Sequence, residues 1–390
     1  MGVYNFESAP NRLGHHSVKW KRTEASPDLL PAWIADMDFE VLPQVADSIR
    51  DYAGQAIYGY NYASDGLFSA IEEWEEKEHG YVFPRESLVL MEGVVPSIST
   101  TIQAVTVEGD AVLINTPVYP PFARSVLLNK RRLVRNSLLE VEGRFEIDFE
   151  ELERQFVEED VKLYVLCSPH NPGGRVWEKD VLERIGRLCL KHGVLLVSDE
   201  IHQDLTLFGN KHVSFNTIAP DFKDFTIILS SATKTFNIAG TKNSFAIIEN
   251  PVLRDAFTKK QLANNQHEIS SLGLIATEVV FREGKAWLEE LLGVLEGNVQ
   301  FALDFFAARA PRVKVMKPEG TYLLWLDFSA YGWEDEELFR RLEEEAGVLL
   351  NHGSDFGKEG RSHARLNVAC PRPLLEEILE RIVRVLPESN

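Results

Sequence analysis

Four short apolar runs, each ending in a cluster of polar or turn-forming residues, constrain this chain more than any other feature. They cover residues 111–115, 162–167, 194–199 and 225–229. Short apolar runs bounded by turn signals are the pattern of strands buried on both faces. From about Gln44 to Gly284 such runs alternate with helical patterns. In one of these Val181, Ile185 and Leu188 form a stripe, and Gly193 marks the stop before the next strand. The alternation predicts an α/β fold, a mainly parallel sheet with helices on both faces. Ligands in such sheets bind at the carboxyl ends of strands. The residues just past each run are therefore the candidates for chemistry.

After the run 225–229 comes Ser230-Ser231-Ala232-Thr233-Lys234-Thr235-Phe236-Asn237. An ammonium where a buried strand ends is costly unless paired or neutralised. One chemistry wants a lysine there: a Schiff base with the aldehyde of pyridoxal 5′-phosphate (PLP), neighbouring hydroxyls holding the phosphate. The alternative is a loop lysine reaching solvent. The run 194–199 ends in Asp199-Glu200-Ile201-His202. Asp199 either meets a pyridinium nitrogen, keeping the ring an electron sink, or caps a helix. His202 either reaches the ring's phenolic oxygen or is a surface histidine. The run 162–167 opens into Ser168-Pro169-His170-Asn171-Pro172-Gly173-Gly174, a turn that presents Asn171 as a donor to the ring oxygen. The run 111–115 leads into Thr116-Pro117-Val118-Tyr119-Pro120-Pro121-Phe122. Tyr119, between prolines, is either a stacking platform or a turn aromatic covering the core. Glu92-Gly93-Val94-Val95 precedes a helical pattern at Ile98, Ile102 and Val105. A glycine entering a helix exposes free N–H groups that bind phosphate, here those of Val94 and Val95.

In chain order these segments supply an anion site, a stacking aromatic, a ring-oxygen donor, a carboxylate and a lysine. With them the chain resembles the fold-type I PLP enzymes of the aminotransferase class I/II superfamily. It is most similar to the cystathionine β-lyase (cysteine-S-conjugate β-lyase, C-S lyase) branch. The blocks that carry this likeness are residues 30–39 (LPAWIADMDF), 58–60, 167–172, 198–202, 234–240 and Arg365-Leu366-Asn367. A general aminotransferase usually has a tyrosine where His202 stands and lacks the block 33–39. The resemblance implies a role for each matching position. Lys234 would carry the cofactor and remove the substrate Cα proton, Asp199 would pair with the ring nitrogen, and Asn171 and His202 would face the ring oxygen. Tyr119 would stack on the ring, and Val94, Val95, Ser231 and Thr233 would hold the phosphate. Arg365 would bind the substrate α-carboxylate as a fork, with Ala35 and Asn171 beside the substrate. Tyr60 would reach the neighbouring subunit's site in a homodimer. Many aminotransferases place an arginine eight residues after the lysine; Lys242 stands there, toward the phosphate or toward solvent. The implied reaction is β-elimination of L-cystathionine or related cysteine S-conjugates to thiol, pyruvate and ammonia. Transamination by the same groups and a regulatory, protein-binding second role remain alternatives.

At 390 residues the chain predicts two domains. Residues 44–284 form the large PLP-binding domain and 285–390 a small α/β domain, with residues 1–43 packing on the latter. The small domain carries a long amphipathic pattern over 287–308 (Leu291, Leu295, Val299, Leu303), strand-like runs 313–316 and 322–327, and a helix after Pro373. A net charge of −19 argues against nucleic acid or an anionic membrane as partner. No run of about 18 apolar residues predicts a membrane span. Met1 to Glu7 lack basic and apolar signal regions, so a cytoplasmic enzyme is expected. Cys167, Cys189 and Cys370 match no zinc or disulfide pattern and read as buried packing residues. No Gly-x-Gly-x-x-Gly follows a strand, against a nicotinamide dehydrogenase. A metal site from Asp199, His202 and His170 would leave Lys234 and Arg365 unexplained. The acidic stretch 334–345 reads as a solvated helix face.

Overall fold

The structure, a computed structural model, describes residues 3–387. Met1 and Gly2, part of the segment read for targeting signals, lie outside the described residues.

Seven strands form the central sheet, in the spatial order Leu88–Met91, Ser244–Ile247, Thr226–Ser230, Leu195–Asp199, Val161–Cys167, Ala111–Thr116, Arg132–Ser137. Only Ser244–Ile247 runs against its neighbours; the other pairings are parallel. Helices cover both faces, which is why all six positions of Ala111–Thr116 and all five of Thr226–Ser230 are buried. Register sets Cys167 beside Asp199 and Asp199 beside Leu229, so three of the four sequence runs end at one level.

Helix Lys179–His192 buries Leu182, Ile185 and Cys189, while Val181 and Leu188 are half-buried flanks. The stripe is thus one position off the expected one at two of its three places. Gly193 ends the helix in the left-handed region, φ 65°, where a side chain would be strained.

Lys314–Met316, Leu323–Asp327, His363–Asn367 and Asn351–His352 form a second, antiparallel sheet. Leu30–Pro31 pairs in parallel with Val348–Leu349, tying the N-terminal segment to this part of the chain. Against the expectation of no membrane-length segment, helix Lys285–Arg309 is long and apolar enough to cross a membrane, with mean hydropathy 1.3 in its most apolar stretch. Here it is a core helix. Trp287, Leu291, Leu295, Val299 and Phe306 are buried, and buried Asn298 donates to the carbonyls of Val368 and Cys370, 2.8 Å each. In the acidic stretch Glu337 pairs with Arg340 and Arg341, while Leu338, Phe339 and Leu342 are buried beneath it. All three cysteines are buried and unpaired.

Candidate active site

The carboxyl ends of the parallel strands open into a cavity of about 360 Å³. Nine of the sequence-predicted residues line it: Ala35, Val94, Val95, Tyr119, Asn171, Asp199, His202, Lys234 and Lys242.

Lys234 lies in a single helical turn, Ala232–Thr235, directly after strand Thr226–Ser230. Its Nζ donates to the carbonyl of Ala35 at 2.6 Å. Burial, with the nearby charge of Arg365, lowers the amine from its ordinary range to about 8. Ala35 is delivered by the block 33–39, which has no strand of its own across the site. Asn237 holds it, accepting from Met37 N (2.9 Å) and donating to the carbonyls of Met37 and Phe39. Asn367 donates to the carbonyls of Ile34 and Asp36. Buried Lys19 and Asp38 pair at 2.6 Å beside it, and Arg12 bridges Asp36 and Asp38.

Asp199 ends its strand and is 4% exposed. No helix follows it, so it is not a helix cap; its one partner is the N–H of Ile201 at 3.1 Å. Burial raises its carboxyl to about 7. His202 presents a buried Nδ1 that has no partner. Burial, with Lys234 opposite, lowers its imidazole to about 3 and keeps the ring neutral. His170 accepts from Gly173 N and donates to the carbonyl of Pro117, both ring nitrogens thereby used. Among the described residues no group of three His, Cys, Asp or Glu could hold a metal.

The turn after strand Val161–Cys167 is pinned by close backbone approach. Gly174 has φ +66°, and a Cβ there would meet Pro318 Cβ at 2.4 Å and the Gly320 carbonyl at 2.7 Å. Asn171 O accepts from Tyr119 N at 3.1 Å, which couples the two loops. Arg365, on strand His363–Asn367, is 3% exposed. It donates to Asn171 Oδ1 (2.9 Å), Trp33 O (3.1 Å) and Asn351 Oδ1 (2.6 Å), and its Nε has no partner.

Four expected residues do not line the cavity. Arg365 stands behind Asn171. Ser231 caps the Lys234 turn, accepting from Thr233 N (3.1 Å) and donating to Asn243 O (2.6 Å), so its hydroxyl is committed to local structure. Thr233 Oγ1 is tied to Ser231 Oγ at 2.8 Å. Tyr60 is 96% exposed, in a loop away from its own chain's cavity. Five further residues line the cavity that the sequence does not mark as site residues: Glu92, Gly93, Pro96, Cys167 and Ile201. Ile201 had a signal, because it falls two residues after Asp199 on the same turn.

A planar, anionic, pyridine-type cofactor fits this donor set. The cavity offers a carboxylate, a primary amine, an unpartnered neutral imidazole and a flanking phenol ring. It also includes the start of helix Val94–Val105, whose first N–H groups have no acceptor within the helix.

Comparison with known proteins agrees. Residues 34–382 match the family described as aminotransferase class I and II. The chain is 39% identical over 385 residues to cystathionine beta-lyase PatB of Bacillus subtilis, covering 98% of this chain and 100% of that protein. It superposes with TM-score 0.95 on the PLP-containing cystalysin of Treponema denticola, at 33% identity and 98% coverage of each chain. With the PLP-bound C-S lyase of Staphylococcus hominis the TM-score is 0.92 at 30% identity, covering 99% of this chain and 98% of that one. The chain belongs to the aminotransferase class I and II family.

Proposed function

We propose that this protein is a PLP-dependent carbon–sulfur β-lyase. It converts L-cystathionine or a related cysteine S-conjugate to thiol, pyruvate and ammonia. The observation that carries the reading is Lys234 and Asp199 in one cavity with a neutral His202, in a chain 39% identical over its whole length to a cystathionine β-lyase. PLP, when bound, supplies the electron sink for the pair left on Cα. Lys234 holds the cofactor and, once freed, its amine takes the Cα proton. A lysine lowered to about 8 has a substantial neutral fraction near neutral pH, as a base requires. Asp199 would hold a proton on the ring nitrogen, a pairing that would offset the burial of its anion. Asn171 and His202 would hold the ring oxygen, and Tyr119 would stack on the ring. The N–H groups of Val94 and Val95 hold the phosphate with Lys242, which lines the cavity. Ser231 and Thr233 join them only if their hydroxyls leave their present partners. Arg365, whose Nε has no partner, takes the α-carboxylate once its Nη groups exchange Asn171, Trp33 or Asn351 for the acid.

The boundaries 43/44 and 284/285 separate the seven-stranded sheet from the antiparallel one, and we place the domain division there. A homodimer accounts for Tyr58, Tyr60 and Tyr62, which are 68%, 96% and 89% exposed on one loop. In this arrangement Tyr60 serves the neighbouring subunit's site. The composition suits a cytoplasmic enzyme.

The test is Lys234→Ala. Pyruvate release from L-cystathionine should fall by several orders of magnitude, the loss typical of deleting a catalytic base. Borohydride should no longer fix the cofactor to the chain. Near-normal turnover by this variant would refute the assignment.

A further inference from the structure

Behind the cavity lies a set of buried ionisable groups that the chemistry above does not use. Asp204 and Glu200, on the turn that follows strand Leu195–Asp199, face Glu75 and His79 of helix Asp65–His79 and His212 of the next loop. Burying so many ionisable groups in one place is costly unless each is partnered. Here the partners converge on the lysine segment. Asp204 Oδ2 accepts from Thr235 Oγ1 at 2.7 Å, and Thr235 is the residue after Lys234. Asp204 Oδ1 accepts from Trp74 Nε1 at 2.9 Å and lies 2.8 Å from His79 Nε2. Gln203 donates to Glu75 Oε1 at 2.6 Å. Glu200 accepts from Ser198 Oγ (2.9 Å) and Phe215 N (3.0 Å), with His212 Nε2 at 3.0 Å. The side chains of His79 and Asp204 are 5% and 3% exposed, and Thr235 is fully buried.

Burial works against a charged His79, but its bond to Asp204 and the charge of Glu75 prevail and hold the imidazole up to about 9. Burial likewise works against the Asp204 anion, and its bonds to His79, Thr235 and Trp74 outweigh it, lowering the carboxyl below its usual range. The pair is thus an anion with three donors, one cationic. Thr235 hangs from it as the only side chain of the Ala232–Thr235 turn bonded to the turn after Asp199.

We propose that Asp204, held by His79 and Trp74, is a positioning residue that fixes the Lys234 turn against the Asp199 turn through the Thr235 hydroxyl. A one-turn helix has little rigidity of its own. Ser231 fixes the start of this turn, through Thr233 N and Asn243 O, so without the Thr235 anchor it is the far end, next to Lys234, that loosens relative to the Asp199 turn. The other neighbours of Lys234, the Ala35 carbonyl and the charges of Arg365, Asp36, Asp199 and Lys242, act on the amine itself and do not fix the backbone beneath it.

The inference rests on Lys234 as the cofactor-bearing lysine. Unmutated holoprotein is therefore measured first, and absence of a borohydride-sensitive visible band there counts against that reading alone. The variants are Thr235→Val, of the same shape without the hydrogen bond, and Thr235→Ser, which restores it. Three quantities are read: the rate at which the visible band grows when PLP is added to cofactor-free protein, kcat and KM for pyruvate release, and the melting temperature of the cofactor-free protein. For Thr235→Val, band growth and kcat should each fall by about tenfold to a hundredfold, since a misplacement of about 1 Å can cost roughly 10²-fold. KM should change less than about twofold, as the substrate grip is elsewhere. Thr235→Ser should recover most of both rates. If Thr235→Val keeps both rates, whatever its melting temperature, the anchor is only structural and the proposal falls. Equal losses in Thr235→Ser also overturn it. Should Thr235→Val not fold, Asp204→Asn is read by the same criteria: slowed band growth and kcat support the proposal, and unchanged rates refute it.

Discussion

Asp199 shows at the scale of one residue how function opposes stability. In the cofactor-free protein its carboxylate is buried with a single backbone donor, and its carboxyl sits at about 7 against an ordinary 3.8. Between those values the unfolded chain is ionised while the folded one stays protonated. Stability therefore falls as pH rises from about 4 through about 7, and the penalty is complete above that. The difference corresponds to up to about 4 kcal/mol. Asp199→Asn should thus raise the melting temperature of cofactor-free protein at pH 8 and change it little near pH 4. In the holoenzyme the same substitution should cost about 10²–10³-fold in pyruvate release, the loss seen when a charge-stabilising group is removed. A variant that is no more stable at pH 8 and turns over normally would show that Asp199 carries neither role. Asp199, Lys234 and Asn171 were legible because each ends or closely follows an apolar run, and a strand end in a parallel sheet is a place the chain itself announces. Asp204 was not legible. It looks like any polar turn residue until His79, 125 positions away, folds against it. The committed hydroxyl of Ser231 was hidden for a similar reason: a serine before a helical turn is a phosphate ligand or a cap with equal ease.

At the scale of elements, the site depends on turns that cannot relax. The 168–174 turn carries Asn171 on one side and packs against 318–320 on the other, so the position of Gly174 bears on both. Gly174→Ala would force a side chain into the left-handed region and against Pro318 and the Gly320 carbonyl. The expected cost is of order 1–3 kcal/mol, read as a lower melting temperature. KM should rise with it, because Asn171 and its partner Arg365 move together. An unchanged melting temperature and KM would mean that the turn has slack the geometry does not show. The strands were readable since double-sided burial demands unbroken apolar runs. The periodicity of 179–192 misplaces two stripe positions, because Val181–Leu182 and Leu188–Cys189 are adjacent apolar pairs. Periodicity alone does not say which member faces the core.

At the scale of the whole molecule, the proposed homodimer would divide the catalytic set between two chains through the exposed tyrosine loop. If Tyr60 serves the opposite site, Tyr60→Ala and Lys234→Ala subunits should complement each other. In a one-to-one mixture half of the dimers are hybrids, each with one intact site, so activity should return to about a quarter of the unmutated level. No recovery in verified hybrids would place Tyr60 in its own chain's site or in none. The block 33–39 belongs to the same scale. It was recognisable as a family mark, but its purpose emerged only when Asn237 and Asn367 were seen to suspend it so that the Ala35 carbonyl meets Lys234. Together these parts serve β-elimination. Purified holoenzyme given L-cystathionine without a keto acid should release pyruvate and thiol in equal amounts over many turnovers, with the cofactor spectrum unchanged. Accumulation of pyridoxamine phosphate faster than pyruvate, or turnover that requires an added keto acid, would contradict the lyase and make the protein an aminotransferase.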